Sequence, residues 1–490
     1  MKIILRLFSF KFLSALLGIG YSILQVYYFG SSRSIEIFFA AQSLVYVITS
    51  LTQTGQLAEV FLPVYHKLKL LSGQLHFDAL NYVLTKILFF GAFFIVIAFI
   101  LAPYIIELLI PGFSDADRET AVDVFRVLVP LIVLEIAGNF FVVVLNGERK
   151  FGRAEFLSAV NSGLNILILF LFYELLGIWS LVLSLIIAKV LQTAFYLKNL
   201  FDLGYRPQII KAMDAFDSRH FLNALKSTLL YTVSTQGYIF VLTAGTSFLP
   251  DGTYAVFKHV QNLAKKAQGL VVQPFITIFF TDISDQIANR RPVSKIFEKC
   301  LRSILSISTL TILYIVLFGY WTLDIIWGGS KFSDSDLNLA FIFLGFNSFA
   351  IAISGINQVY RKYCVSMGVS SQLYIAWTFG QLLCGVLTYY LIYSFGVEGL
   401  KFIIPLNGVL LLTGTLVVFN RLSSTLRIDY FSFSNAGLYL VIGISIYSFF
   451  MFEMQTFTSQ HFVLSVLAFL VLAAYPLFTL YRLYQIKKGG

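Results

Sequence analysis

Phe113-Ser114-Asp115-Ala116-Asp117 returns as Phe332-Ser333-Asp334-Ser335-Asp336, an offset of 332 − 113 = 219 residues. The same offset carries Phe29 onto Phe248, Phe38 onto Phe257, Gln42 onto Gln261 and Leu44 onto Leu263. One register held across two distant stretches marks a duplicated chain. In a chain this apolar, duplication points to a membrane bundle of the kind transporters are built from.

Of the 490 residues, 58% are hydrophobic and 12% charged. A soluble protein of this length has no way to bury so much apolar surface, so its solvent is lipid. Cys300, Cys364 and Cys384 lie far apart and give neither metal spacing nor a disulfide framework. Met1–Phe29 opens like a signal peptide, with Lys2, Arg6 and Lys11 ahead of an apolar run. That run is too long for a typical cleaved signal and has a counterpart in mid-chain. It reads as the first spanning helix.

Apolar stretches long enough to cross about 30 Å of hydrocarbon fall at 8–30, 36–63, 80–110, 119–146, 153–176, 178–200, 220–248, 252–283, 296–327, 337–360, 370–395, 399–420, 433–453 and 461–481. With the N-terminus inside, the inner loops carry Lys67, Lys69, Arg149, Lys150, Arg153, Lys198, Arg206, Lys211, Arg219, Arg290, Arg291, Lys295, Arg361, Lys362, Arg421, Arg427, Lys487 and Lys488. The outer loops hold Arg33, Arg118 and Lys331 beside Asp115, Asp117, Glu119, Asp251, Asp334 and Asp336. The bias follows the positive-inside rule. It places both termini in the cytoplasm and explains the net charge of +10 without nucleic acid.

The predicted fold is an all-α polytopic membrane protein of about 14 transmembrane helices, two parallel six-helix lobes plus two C-terminal helices. The expected divisions are an N-lobe over 1–201, a cytoplasmic linker over 202–219, a C-lobe over 220–430 and the last two helices over 431–490. Six crossings separate equivalent points, so the lobes are expected to share one orientation and to relate by an axis along the membrane normal.

Ionisable residues inside a membrane are expensive and mark function by default. On the eighth helix Lys258, Asn262, Lys265 and Lys266 recur at helical spacing. The opposite face is Phe257, Val260, Leu263, Ala264 and Ala267. A lysine stripe suits the cationic wall of a wet cavity that takes phosphate. Snorkelling and structural pairing are the alternatives. Lys189, central in the sixth helix, is read either as cavity wall or as half of an ion pair. Glu135 in the fourth helix is read either as a coupling-ion ligand or as the partner of Lys189. Glu36 opens the second helix, where a carboxylate favours the N-terminus; an ion or cavity role is the other reading. Asp123 and Arg126 are spaced as a structural pair. In both copies of Phe-Ser-Asp-x-Asp, the Ser is a natural N-cap and the carboxylates fall in the first turn. Capping is therefore preferred to the metal-binding Asp-x-Asp of glycosyltransferases.

A series of short motifs starts with Phe29-Gly30, Glu36, Phe38-Phe39 and Gly55-Gln56-Leu57-Ala58-Glu59-Val60-Phe61-Leu62-Pro63. Pro111-Gly112-Phe113, Leu145-Asn146 with Phe151, Val190-Leu191-Gln192, Ser247-Phe248-Leu249 with Gly252, and Gly329-Ser330-Lys331-Phe332 follow. In this order the motifs resemble the MurJ/MviN lipid II flippases, over most of residues 10–370. It implies the multidrug/oligosaccharidyl-lipid/polysaccharide (MOP) exporter superfamily, with two six-helix lobes around a V-shaped cavity. The family usually places arginines where this chain has Ala15 and Tyr21, near Thr49, and at Asn262. The acidic position survives as Glu36, and Lys189 stands where glycine is common. The cationic cavity looks rebuilt with lysines.

The expectation is a flippase of the bacterial cytoplasmic membrane that moves an isoprenoid-diphosphate-linked sugar, lipid II or another lipid-linked oligosaccharide, from inner to outer leaflet. Lys258, Asn262, Lys265, Lys266, Lys189 and Tyr21 would bind substrate. Glu36 and Glu135 would couple an ion, Na+ or H+, unless the membrane potential drives transport. No catalytic residue, metal ligand or further cofactor is expected. The partners are the lipid-linked glycan and membrane lipids. A related drug or metabolite exporter is the runner-up. A polysaccharide glycosyltransferase or ligase needs a larger soluble loop than the roughly twenty residues available here. A pure scaffold has no need of midplane lysines.

Overall fold

The computed structural model describes residues 2–50, 61, 64–70, 75–148, 150–213, 218–288, 291–422, 433–451 and 462–488. Gly55–Pro63 apart from Phe61, the loop residues Arg149, Arg290 and Arg427, and the expected boundary at 430 lie outside the described residues. The described residues form helices joined by turns, with one longer non-helical segment over 202–213. In chain order they are α1 (Lys2–Phe29), α2 (Arg33–Thr49), α3 (Leu75–Leu109), α4 (Asp115–Leu128), α5 (Leu131–Gly147), α6 (Phe151–Leu176), α7 (Ile178–Phe201) and α8 (Ser218–Thr246). Then come α9 (Thr253–Val271), α10 (Gln273–Ala288), α11 (Ser294–Trp327), α12 (Asp334–Ser366), α13 (Ser370–Leu422), α14 (Phe433–Met451) and α15 (Phe462–Lys488).

Eight of these helices are long and apolar enough to cross a membrane, or nine if the bent α4–α5 pair is one span. Four expected spans take another form. The stretch 119–146 is two helices, bent by 40° next to Pro130, which has no N–H to continue the ladder. The stretch 252–283 divides at Val272, where Pro274 falls in the first turn of α10. The stretches 370–395 and 399–420 run on as α13, broken by non-helical backbone at Gly396.

The repeat is visible in local geometry. Ser114 Oγ accepts from the Asp117 N–H at 3.2 Å and Ser333 Oγ from the Asp336 N–H at 3.2 Å, so both copies of the motif open a helix. Acidic first turns then oppose the positive end of each helix dipole. At the same offset of 219, Gly177 (φ 51, ψ −125) separates α6 from α7 and Gly396 (φ 57, ψ −128) breaks α13. Positive φ costs a side chain dearly and glycine little, which explains the residue chosen at both breaks.

The chain divides into two compact units, Met1–Ala255 and Val256–Gly490. In the first, α1 packs on α6, α6 on α7, α2 on α4, and α5 on α7. Its core includes Phe61, Tyr65, Phe77, Phe140, Phe141 and Tyr196. In the second, α11 and α12 are the buried helices, with 72% and 61% of their most apolar windows covered, against 17% for α3 in the first unit. Phe297, Tyr360, Tyr363 and Phe419 interlock there, with ring centroids 4.9–5.8 Å apart. Elsewhere Phe89, Phe93, Leu175, Tyr393 and Val471 are exposed. A surface this greasy is suited to acyl chains.

Candidate functional site

The lysine face lies on α9. Phe257, Val260 and Ala264 are buried there, while Lys258, Asn262 and Lys266 are half-buried and Lys265 is exposed. Lys258 and Lys265 are seven positions apart, about 10 Å along the axis. Lys265 donates to Gln261 Oε1, one turn back, at 3.3 Å. A Cβ built on Gly269, on the same face, meets nothing within 4 Å. The helix thus packs on Phe257, Val260 and Ala264 and carries its lysines on the other side.

A second polar group forms in the first unit. Lys189 Nζ lies 2.7 Å from Glu135 Oε2, with side chains 13% and 26% exposed. Lys189 also donates to Gln192 Oε1 at 3.2 Å, and Gln192 is held in turn by the Leu157 carbonyl. Tyr21 reaches the same helix through Ser184 Oγ at 3.1 Å. Of the two readings open for Lys189 and Glu135, this conformation adopts the ion pair. α7 therefore carries two polar groups, Tyr21 with Ser184 and Lys189 with Glu135 and Gln192.

Glu36 is 1% exposed. Its Oε1 accepts the backbone N–H groups of Tyr254 and Ala255 at 3.0 and 3.2 Å, at the start of α9. Its Oε2 accepts from Arg33 Nη1 at 2.6 Å. The carboxylate caps a helix other than its own. Arg33 also pairs with Asp251, approaches Asp117 at 3.8 Å and lies 4.1 Å over the Phe113 ring. Sequence reasoning missed this cluster. Its signal was available: Arg33 is one of three basic residues in loops otherwise acidic.

A third network centres on Glu148, just past the end of α5. Tyr65 OH donates to Glu148 Oε1 at 2.8 Å, and Lys69 pairs with the same oxygen. Burial pushes the Glu148 carboxyl up, but the hydrogen bonds from Lys69 and Tyr65 outweigh it and hold the group below the usual carboxylate range. Asp123 and Arg126 face each other at 3.9 Å on α4, a surface pair of small worth.

The chain matches the family model for the lipid II flippase MurJ over residues 25–473. A protein of Borreliella burgdorferi described as a probable lipid II flippase MurJ is 24% identical over 335 residues, 66% of this chain and 64% of that one. The match thus spans just under two thirds of that relative's length. Among solved structures, a lipid II flippase MurJ in an inward closed conformation superposes with a TM-score of 0.79 at 17% identity, covering 96% of this chain and 98% of that chain. An inward-facing multidrug resistance MATE family transporter of the MOP superfamily gives 0.67 at 16% identity, covering 84% and 94%. An outward-facing one gives 0.59 at 17%, covering 86% and 96%. These superpositions establish a shared fold.

Proposed function

Since the chain belongs to the lipid II flippase MurJ family, we propose that it moves an isoprenoid-diphosphate-linked glycan from the inner to the outer leaflet of the bacterial cytoplasmic membrane. The observation that carries this reading is the row of lysines on α9, set opposite the buried Phe257, Val260 and Ala264. No bond is made or broken. The barrier is the transfer of a diphosphate and a polar glycan through hydrocarbon, tens of kcal/mol for an unpaired charge. Lys258, Lys265, Lys266 and Asn262 would replace water around the diphosphate, with Tyr21 and Lys189 along the path. Lysines act as point charges and tolerate a moving anion, whereas an arginine fork fixes a planar one.

Fourteen spans in two parallel lobes, with both termini inside, are the architecture proposed for this chain. The existence of inward- and outward-facing structures of the same fold supports alternating access. Glu135 is the better candidate for ion coupling, because a cation entering there can take the place of Lys189 and release that ammonium. Glu36 would couple differently, by letting go of the first turn of α9. A lysine face disfavours cationic drugs as cargo, since such cargo calls for carboxylates. The test is leaflet exposure of a labelled lipid-linked glycan in proteoliposomes, with and without the α9 lysines. Lipid II and a glycan from another pathway, supplied in parallel, decide the cargo.

A further inference from the structure

A cleft of about 800 Å³ opens on the first unit, lined by α3, α5, α7 and the segment 205–211. Leu84, Leu88, Leu134, Ala137, Leu197 and Ile209 supply apolar walls. Its two charged lining residues are Lys86 and Lys211, both exposed, and no carboxylate among the described residues lines it. Farther along α3, Leu88, Phe89 and Phe90 also line it and are 55%, 71% and 62% exposed.

The wall formed by the segment 205–211 is built, not incidental. Tyr205 OH donates to Asn81 Oδ1 at 2.7 Å, and the Gln208 N–H to the same oxygen at 3.2 Å. Asn81 Nδ2 donates to the Arg206 carbonyl at 2.9 Å, and the Ile210 N–H to Thr85 Oγ1 at 3.1 Å. These bonds lay the segment along α3 and bring Lys211 to the level of Lys86. Lys86 lies eleven residues past Leu75, about 16 Å along the helix. Lys211 is one of the inner-loop cations of the charge pattern, and Lys86 falls in the first third of the span 80–110, so this level is read as the inner side of the bilayer. The cleft is therefore cationic at headgroup depth and apolar deeper in.

We propose that this cleft holds one anionic phospholipid of the cytoplasmic leaflet, with its phosphate between Lys86 and Lys211 and an acyl chain against α3, α5 and α7. Two ammonium groups without a lining carboxylate complement one phosphodiester, and the apolar walls lie on the side where a chain must run. The proposal needs only that α3 spans the membrane; it does not depend on the cargo.

The test is native mass spectrometry of the full chain in detergent, titrated with phosphatidylglycerol or phosphatidylcholine of identical acyl chains. Two lysines at an anionic surface predict that the first phosphatidylglycerol binds about thirty-fold more tightly than phosphatidylcholine. The exposed pair K86Q/K211Q should keep its fold and lose most of that preference. A137W, which fills the apolar wall, should weaken both lipids, and L197W takes its place if A137W does not fold. Equal binding of the two lipids by the unaltered chain, or an undiminished preference in K86Q/K211Q, overturns the proposal. So does stoichiometric displacement of bound phosphatidylglycerol by a polyprenyl phosphate, which assigns the cleft to the cargo's tail. Retained phosphatidylglycerol affinity in the wall-filling variant overturns the acyl-chain part.

Discussion

Lys189 in the first unit and Lys265 in the second are both lysines on helices that a membrane chain would bury, yet they are held differently. Lys189 meets the Glu135 carboxylate at 2.7 Å. Lys265 meets a neutral amide, Gln261, on its own helix at 3.3 Å. A cation facing a carboxylate has its field largely cancelled, and must give up that partner before it can hold an anion. A cation facing an amide keeps its charge. Depth alone therefore does not single out a binding lysine; the partner does.

The strongest way to break this contrast is to remove the charge from α9. K265Q/K266Q should reduce glycan translocation in proteoliposomes at least a hundred-fold, with folded yield close to that of the unaltered chain. Two lost charge contacts of a few kcal/mol each suffice for that. Full activity would refute the anionic-cargo reading.

The paired lysine should respond in the opposite way. E135Q or K189M alone strands one member of a partly buried pair, at an expected loss of about 2–3 kcal/mol after allowing for its partial exposure. The double variant should recover most of it. A thermal-unfolding double-mutant cycle reads the coupling directly, and additive losses would show that the two side chains do not act as a pair. If Glu135 also holds the coupling ion, E135Q should leave transport indifferent to the Na+ or H+ gradient.

Glu36 sharpens the same point with backbone donors. E36A leaves two N–H groups at the start of α9 without their acceptor, and should cost about 2 kcal/mol of stability. E36Q keeps an acceptor oxygen and should cost less. Equal losses would mean that charge, through Arg33, matters more than the cap.

Acid gives a gentler probe. The folded-state value of Glu148 is depressed, so its contribution is fully present above the ordinary carboxylate range and fades as pH falls through the folded value. Melting curves between pH 7 and 4 should show a smaller acid-side loss in E148Q. The smallest effect compares the repeats themselves: S114A and S333A should each cost about 1 kcal/mol, and nearly the same amount.

Much of this was legible in the sequence because the relevant signals are local. Ser and Asp at the start of a helix announce a cap whatever the tertiary surroundings, and the α9 face follows from spacing. The helix count was less legible. Pro130 and Pro274 sit inside stretches whose hydropathy runs on unbroken, so apolarity alone joined helices that the missing N–H separates. The pairing of Glu135 with Lys189 stayed one of two readings because 54 positions separate them (189 − 135). The Arg33, Asp251 and Asp117 cluster depends on three turns meeting in space, which no periodicity encodes.

The breaks at Gly177 and Gly396 offer a practical handle. At Gly177 a built Cβ meets nothing within 4 Å, so the hairpin tip is unobstructed. A short epitope inserted after Gly177 would stand clear of its surroundings without entering either flanking helix. Because that join is expected on the outer face, antibody binding to intact spheroplasts would report the sidedness of the whole chain. A matching insertion after Gly396 would provide an independent reading of the same orientation from the second repeat.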